Sequence, residues 1–315
     1  MKTFRGIQMV RKSSFCGIAV LLLLVMTSSN IIAEDEPNNW YIEGGNSVLM
    51  EQYTATWCDV CATIDPWISD FANDRGSRLV RIALHDPIAD PLGNSISSER
   101  LSIHPNSMEL APSFWFDSNN EIKGTVSPVD LDRALLNSEG VRDSDTIISI
   151  SGTESLNRKS MNLMINLFNV ENFSNSQVSI FLLAEITVDK SQATNGITNH
   201  EDVSIGYLNM EIDTNLSLGE VTSETIFNSR FNNISMMKNS EGFEINLDFL
   251  LENENLEDIS IVVAHEKIID NQRSTLGAVL LTLDDSQKSN GISLFLPLFA
   301  ISLVSTVILF KDRFL

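Results

Sequence analysis

The stretch 48–66, VLMEQYTATWCDVCATIDP, constrains this chain more than any other. An apolar run that reads as a strand leads through Trp57 into two cysteines separated by two residues, and then into a helix from Ala62. A thiol is nucleophilic only as its thiolate, and the first turn of a helix, with its unpaired N–H groups, favours negative charge. This order of elements puts Cys58 at the first turn as the reactive sulfur and Cys61, one turn on, as the partner that closes a disulfide. The same spacing makes half of many zinc sites, with His85 and His104 as available imidazoles, so spacing alone leaves both chemistries open. No second close-spaced cysteine pair is present, which weighs against a metal.

The run Trp57-Cys58-Asp59-Val60-Cys61 at a strand-to-helix junction, Pro66 five residues after Cys61, and Ala111-Pro112 just before Ser113-Phe114-Trp115-Phe116 together resemble the thioredoxin superfamily. The resemblance implies an α/β thioredoxin-like domain over 37–140 and a redox-active Cys58–Cys61 pair that needs no cofactor. It also implies a cis bond at Ala111-Pro112 opposite the cysteines, with Trp57, Ala111 and Pro112 meeting the substrate. From Cys61 to Pro112 is 112 − 61 = 51 residues, longer than in a minimal thioredoxin, so an insertion is expected between Asp86 and Leu110. Two departures bear on the chemistry. Gln52 stands where many members carry a buried acid; the acid is next door at Glu51, and neighbours on a strand point to opposite faces. Asp59 sets negative charge beside Cys58, opposes its thiolate and favours reducing or isomerising over strongly oxidising chemistry.

Within 37–140, Trp40 to Ile42 reads as a short first strand. Ile64, Trp67, Ile68 and Phe71 recur at helical spacing, and Gly76 is a candidate cap. The run LVRIAL at 79–84 is apolar on both faces apart from Arg81, which suits a strand covered by helices. A hairpin is expected around 117–120, then a helix opened by Ser127, Pro128 and Asp130 and running through Leu136. His85-Asp86 reads as a satisfied surface pair.

A polar linker, 138–144, precedes a change of texture. Runs at 146–150, 161–168, 178–186, 203–210, 243–251, 259–265 and 278–283 are strand-like, with polar loops between them and no helical period. They predict an antiparallel β-sandwich, immunoglobulin-like, over 145–285. Through EQYTATWC at 51–58, Leu84-His85-Asp86, and the runs 259–263 and 277–281, the whole is also similar to bacterial outer-membrane proteins that join a thioredoxin-like domain to a sandwich.

The ends set the compartment. Basic residues, an apolar run at 15–26 and small residues after it read as a signal peptide, 1–33, which would remove Cys16. A second apolar run followed by Lys311 and Arg313 reads as a transmembrane helix, 291–310, with the basic end cytoplasmic. The bulk of a single-pass protein would then lie outside the cytoplasm, where disulfides persist, with only Cys58 and Cys61 left to pair. The pair either cycles between dithiol and disulfide or rests as a short local disulfide. A net charge of −21, from 42 acidic and 21 basic residues, argues against nucleic acid. The expected partners are protein thiols and disulfides. The expected activity is an extracytoplasmic thiol–disulfide oxidoreductase, set against a surface binding or structural protein with a non-catalytic thioredoxin-like scaffold.

Overall fold

The computed structural model describes residues 37–288, apart from 157–158, 171–174, 253, 270–271 and 285–286. The expected signal and membrane helix lie outside these residues. Among the described residues no helix is long and apolar enough to cross a membrane.

The first part of the chain runs β1 (Asn39–Gly44), β2 (Val48–Thr54), α1 (Asp65–Arg75), β3 (Leu79–His85), α2 (Ser95–Leu101), β4 (Ser113–Phe116), β5 (Asn120–Lys123) and α3 (Pro128–Val141). Strand sequence then takes over: β6 (Ile147–Glu154), β7 (Ser160–Phe168), β8 (Ser176–Thr187), β9 (Asn199–Ile212), β10 (Val221–Thr222), β11 (Phe227–Ser229), β12 (Phe231–Lys238), β13 (Gly242–Leu250), β14 (Ile259–Ile269) and β15 (Gln272–Thr282). The molecule is mostly β, with two sheets and few helices.

Local signals explain most helix ends. Gly76 closes α1 at a φ of 53°, a conformation a side chain would resist. Ser127 and Asp130 form a capping box at the start of α3, with Pro128 in its first turn. The helix after the cysteines begins later than expected, at Asp65, because residues Cys61–Thr63 form a 3₁₀ turn ahead of it. The insertion between β3 and β4 folds as α2, capped by the Asn94 side chain.

One sheet has the order β1-β6-β7-β13-β12-β10, the other β15-β14-β8-β9-β3-β2-β4-β5, with β11 beside β9. Strand pairing runs between the two segments expected as successive domains. β1 pairs antiparallel with β6 rather than with β2, and β3 lies parallel to β9 through Ala83 and Val203. The described residues from Asn38 onward belong to one compact unit. The expected linker is helix as far as Val141, and Arg142 is pinned by the Asp117 carboxylate and the Asn46 carbonyl. The strand β12 was not expected, because Asn232, Asn233 and Ser235 spoil its alternation; a register shift falls at that place.

Three apolar clusters hold the layers. The largest lies between the sheets, where Trp40, Ile150, Leu163, Leu247, Val263 and Leu281 meet. On β2, alternation sends Leu49 and Tyr53 to a cluster with Val80, Trp115, Phe181 and Val262, and Val48 and Met50 to one under α1 and α3. Every residue of β2, the strand that leads to the cysteines, is therefore buried, as is every residue of its neighbours β3 and β4.

Candidate functional site

Three chain segments converge where β2 ends. In the parallel pair, Thr54 of β2 lies beside His85 at the end of β3; in the antiparallel pair, Tyr53 lies beside Ser113, the first residue of β4. The residues just after β2, just after β3 and just before β4 are consequently neighbours. They are the cysteine loop, the Asp86–Asp90 turn and Ala111-Pro112.

The cysteine loop is built from backbone bonds. Cys58 N donates to Ala55 O at 3.1 Å, Ala62 N to Cys58 O at 3.1 Å, and Ile64 N to Cys61 O at 2.9 Å. This turn aims the Cys61 N–H at Cys58 Sγ, 3.0 Å away, so the donor expected from a helix start comes from the 3₁₀ turn instead. Cys58 and Cys61 are joined by a disulfide, their Cα atoms 5.2 Å apart. Both cysteines are enclosed: Cys58 keeps 5 % of its surface and Cys61 none. Trp57 is 43 % exposed, so it flanks the pair from solvent instead of serving as core.

The Ala111-Pro112 bond is cis. Ala111 packs against the small cluster of Ala55, Cys58 and Cys61, and Pro112 is buried behind it. Leu110 O accepts from Ser113 Oγ and Pro112 O from Gly124 N, whereas the N–H and C=O of Ala111 take part in none of the hydrogen bonds among the described residues. Of the sequence-selected residues, Cys58, Cys61 and Ala111 share one small cluster, and Trp57 and Pro112 are their chain neighbours.

The polar residues around the loop sort by face. Gln52 and Glu51 point to opposite sides of β2, as alternation requires. Gln52 Nε2 donates to Asp65 Oδ1 at 2.7 Å and its Oε1 accepts from Arg81 Nε at 2.9 Å; Thr54 Oγ1 donates to Asp65 Oδ2 at 2.8 Å. The Asp65 carboxylate, one turn beyond Cys61, therefore sits against the strand on the α1 side. A polar cavity of about 400 Å³ lined by Asp65, Ser69, Arg81, His85 and His200 opens there. On the other face Glu51 accepts from Arg100 Nε at 2.7 Å and lies 3.2 Å from His104 Nε2. Burial works against the Glu51 carboxylate, but Arg100 and His104 outweigh it and hold the group well below the usual range.

His85 is not a surface residue: 1 % of it is exposed, and it packs edge-to-face on His200, centroids 4.9 Å apart. Its Nδ1 lies 3.3 Å from Asp90 Oδ2 without hydrogen-bond alignment. Asp90 also accepts from Thr56 N, and although burial opposes ionisation, His85 and backbone N–H groups keep its carboxyl below the ordinary value. His104 stacks on Trp115 at 4.3 Å, on the other side of β2, so the zinc alternative with His85 loses its second imidazole. Among the described residues no three His, Cys, Asp or Glu side chains form a metal-binding group.

Sequence reasoning missed Asp65, Asp90, Arg100 and Asn195. Asp65 is adjacent to the motif and could have been found as the acid one helical turn after Cys61. Asn195, whose side chain donates to Cys58 O across 137 residues, left no local trace.

No protein-family model matches the chain, and no curated protein matches it. Among solved structures it is similar to HBP35 of Porphyromonas gingivalis, at 12% identity over 79% of each chain, with a TM-score of 0.51. It is also similar to a protein from Agrobacterium tumefaciens, at 12% identity over 77% of this chain and 97% of that one, with a TM-score of 0.48. A family 9 carbohydrate binding module from Caldicellulosiruptor kristjanssonii matches over 47% of this chain and 72% of that one, at 10% identity and a TM-score of 0.25. The likeness to the Porphyromonas protein, at that identity, is one of fold alone.

Proposed function

We propose that this chain is an extracytoplasmic, membrane-anchored thiol–disulfide oxidoreductase, a reductase or isomerase of protein disulfides, built from a thioredoxin-like segment and an immunoglobulin-like sandwich. One observation carries the reading: Ala111, whose N–H and C=O take part in no hydrogen bond among the described residues, packs on the cluster of Ala55, Cys58 and Cys61. An extended substrate strand pairing with that backbone would bring its own disulfide to Cys58, the cysteine of the pair that retains some exposure.

The exchange is balanced within the two proteins. Cys58 thiolate attacks one substrate sulfur, forming a mixed disulfide and expelling the other as thiolate. Cys61 thiolate then attacks Cys58 Sγ, the mixed disulfide breaks, and the second substrate thiolate leaves. The substrate gains two electrons, the Cys58–Cys61 pair loses them, and an external dithiol must return the pair to its reduced form.

The test is Cys61→Ser, which removes the resolving thiol. Expected are mixed disulfides on Cys58 that dithiothreitol releases and that the double serine variant lacks. The near-complete burial of Cys58 and the full burial of Cys61 favour a second reading, a binding or structural protein with an inert disulfide. Under that reading Cys61→Ser traps nothing and partner binding is unchanged.

A further inference from the structure

We infer that Asn195, from the loop between β8 and β9, is a positioning residue of the redox site, holding the cysteine turn in the geometry that directs the Cys61 N–H onto Cys58. This rests on the thiol–disulfide reading above.

Three backbone carbonyls of the cysteine loop are taken by that one loop. Asn195 Nδ2 donates to Ala55 O at 3.1 Å and to Cys58 O at 3.2 Å, and Asn195 N donates to Thr56 O at 2.9 Å. Thr194 Oγ1 adds a longer contact to Thr56 O at 3.5 Å. The orientation of the amide follows from its partners. Ile197 N donates to Asn195 Oδ1 at 3.0 Å, and with the amide reversed its oxygen would face two carbonyl oxygens. The loop is itself braced, through Val188 N to Thr198 O at 2.8 Å and Gly196 N to Ala193 O at 3.0 Å, where Gly196 has a φ of 87°.

Cys58 O thereby accepts from two sides, Ala62 N along the chain and Asn195 Nδ2 from across it. Ala55 O likewise accepts from both Cys58 N and Asn195 Nδ2. The turn is thus clamped from Ala55 to Cys58, and the clamp holds Cys58 under the Cys61 N–H that faces its Sγ. In the reduced protein that N–H is a donor to the thiolate, and a hydrogen bond to the charged form favours it. The same strap covers the cysteine turn on the Ala55–Cys58 carbonyl side. A protein substrate is therefore left the Ala111 side, where the Ala111 N–H and C=O make no hydrogen bond among the described residues.

The experiment uses the full chain in the Cys61→Ser background and follows iodoacetamide alkylation of Cys58 against pH. In parallel, the intact pair is equilibrated with glutathione buffers. Asn195→Ala is expected to raise the alkylation midpoint by about half a pH unit or more, and to move the glutathione equilibrium about threefold or more toward the disulfide. Gln192→Ala, an exposed residue of the same loop, is expected to leave both unchanged. Near-UV circular dichroism checks folding; if Asn195→Ala is misfolded, the isosteric Asn195→Asp, which replaces the donor by acceptors, takes its place with the same expected direction. A protein whose Cys58 titrates and equilibrates normally, and whose folded Asn195 variants match it, overturns the inference alone. A protein in which neither titration exists overturns the redox reading and this inference with it.

Discussion

Arg100 Nη2 donates to Glu266 Oε1 at 2.9 Å, joining residues 166 positions apart in a place where neither side chain has any exposure. Arg100 also holds Glu51, and Glu266 is further bound by Gln177 Nε2 and Ser179 Oγ. This network ties α2 and β2 of the first part of the chain to β8 and β14 of the second. It fastens the strand that leads to the cysteines to the later part of the chain.

Removing the cation is therefore expected to be severe. Arg100→Ala strands two buried carboxylates and should cost about 3–5 kcal/mol in urea unfolding. Replacing the triad together, by Glu51→Leu, Arg100→Met and Glu266→Leu, should recover most of that loss, since the desolvation of three charges disappears with the attraction. A loss below about 1 kcal/mol for Arg100→Ala would show that the network does not hold the layers together.

The pH dependence of stability contains two opposed contributions. Burial depresses His265 to about 4, against about 6.5 in an unfolded chain, so its contribution is present above pH 6.5 and is lost as pH falls toward 4. Burial raises Asp117 to about 6 despite the adjacent Arg142, against about 3.9 unfolded, so the folded state gains as pH falls from 6 to 4. Unfolding free energies should vary little from pH 6 to 4 in the parent. They should fall with acid in Asp117→Asn and rise with acid in His265→Gln, by up to about 3 kcal/mol in each case. Below about pH 4.3, the loss of the Glu51 and Glu266 charges, both held below the ordinary glutamate value mainly by Arg100 against the pull of burial, should destabilise all three proteins.

Gln52 bridges Asp65 and Arg81, so a carboxylate already stands against residue 52, supplied from α1. Gln52→Glu would set a second carboxylate against the first and is expected to destabilise the fold by about 1–3 kcal/mol, without faster exchange. A stable variant with faster disulfide reduction would show that Asp65 does not occupy the functional position.

Local chemistry is what the sequence made legible. The strand before Trp57, the Gly76 cap, the Ser127–Asp130 box and the alternation of β7 and β13 are each encoded within a few residues, and each stands in the structure. The grouping of Cys58, Cys61 and Ala111 was legible because a motif and a proline spacing carried it. What could not be read were pairings between distant segments. Trp40 lies nearer in sequence to β2 but belongs to the core between the sheets, with β1 on β6. Arg100 looks like an ordinary polar helix residue until Glu266 arrives beside it, and Asn195 looks like loop composition until it meets Cys58 O.

The central claim is that Cys58 and Cys61 exchange electrons with other thiols while the protein stays folded. Equilibrating the folded protein in graded glutathione and dithiothreitol buffers, then trapping free thiols with a mass-shifting maleimide, measures this directly. The account predicts a reversible two-electron transition, the same from the oxidised and reduced sides, with a midpoint between about −270 and −180 mV. A pair that remains disulfide-bonded in buffers poised below about −300 mV, and opens only when the chain is unfolded, would contradict it.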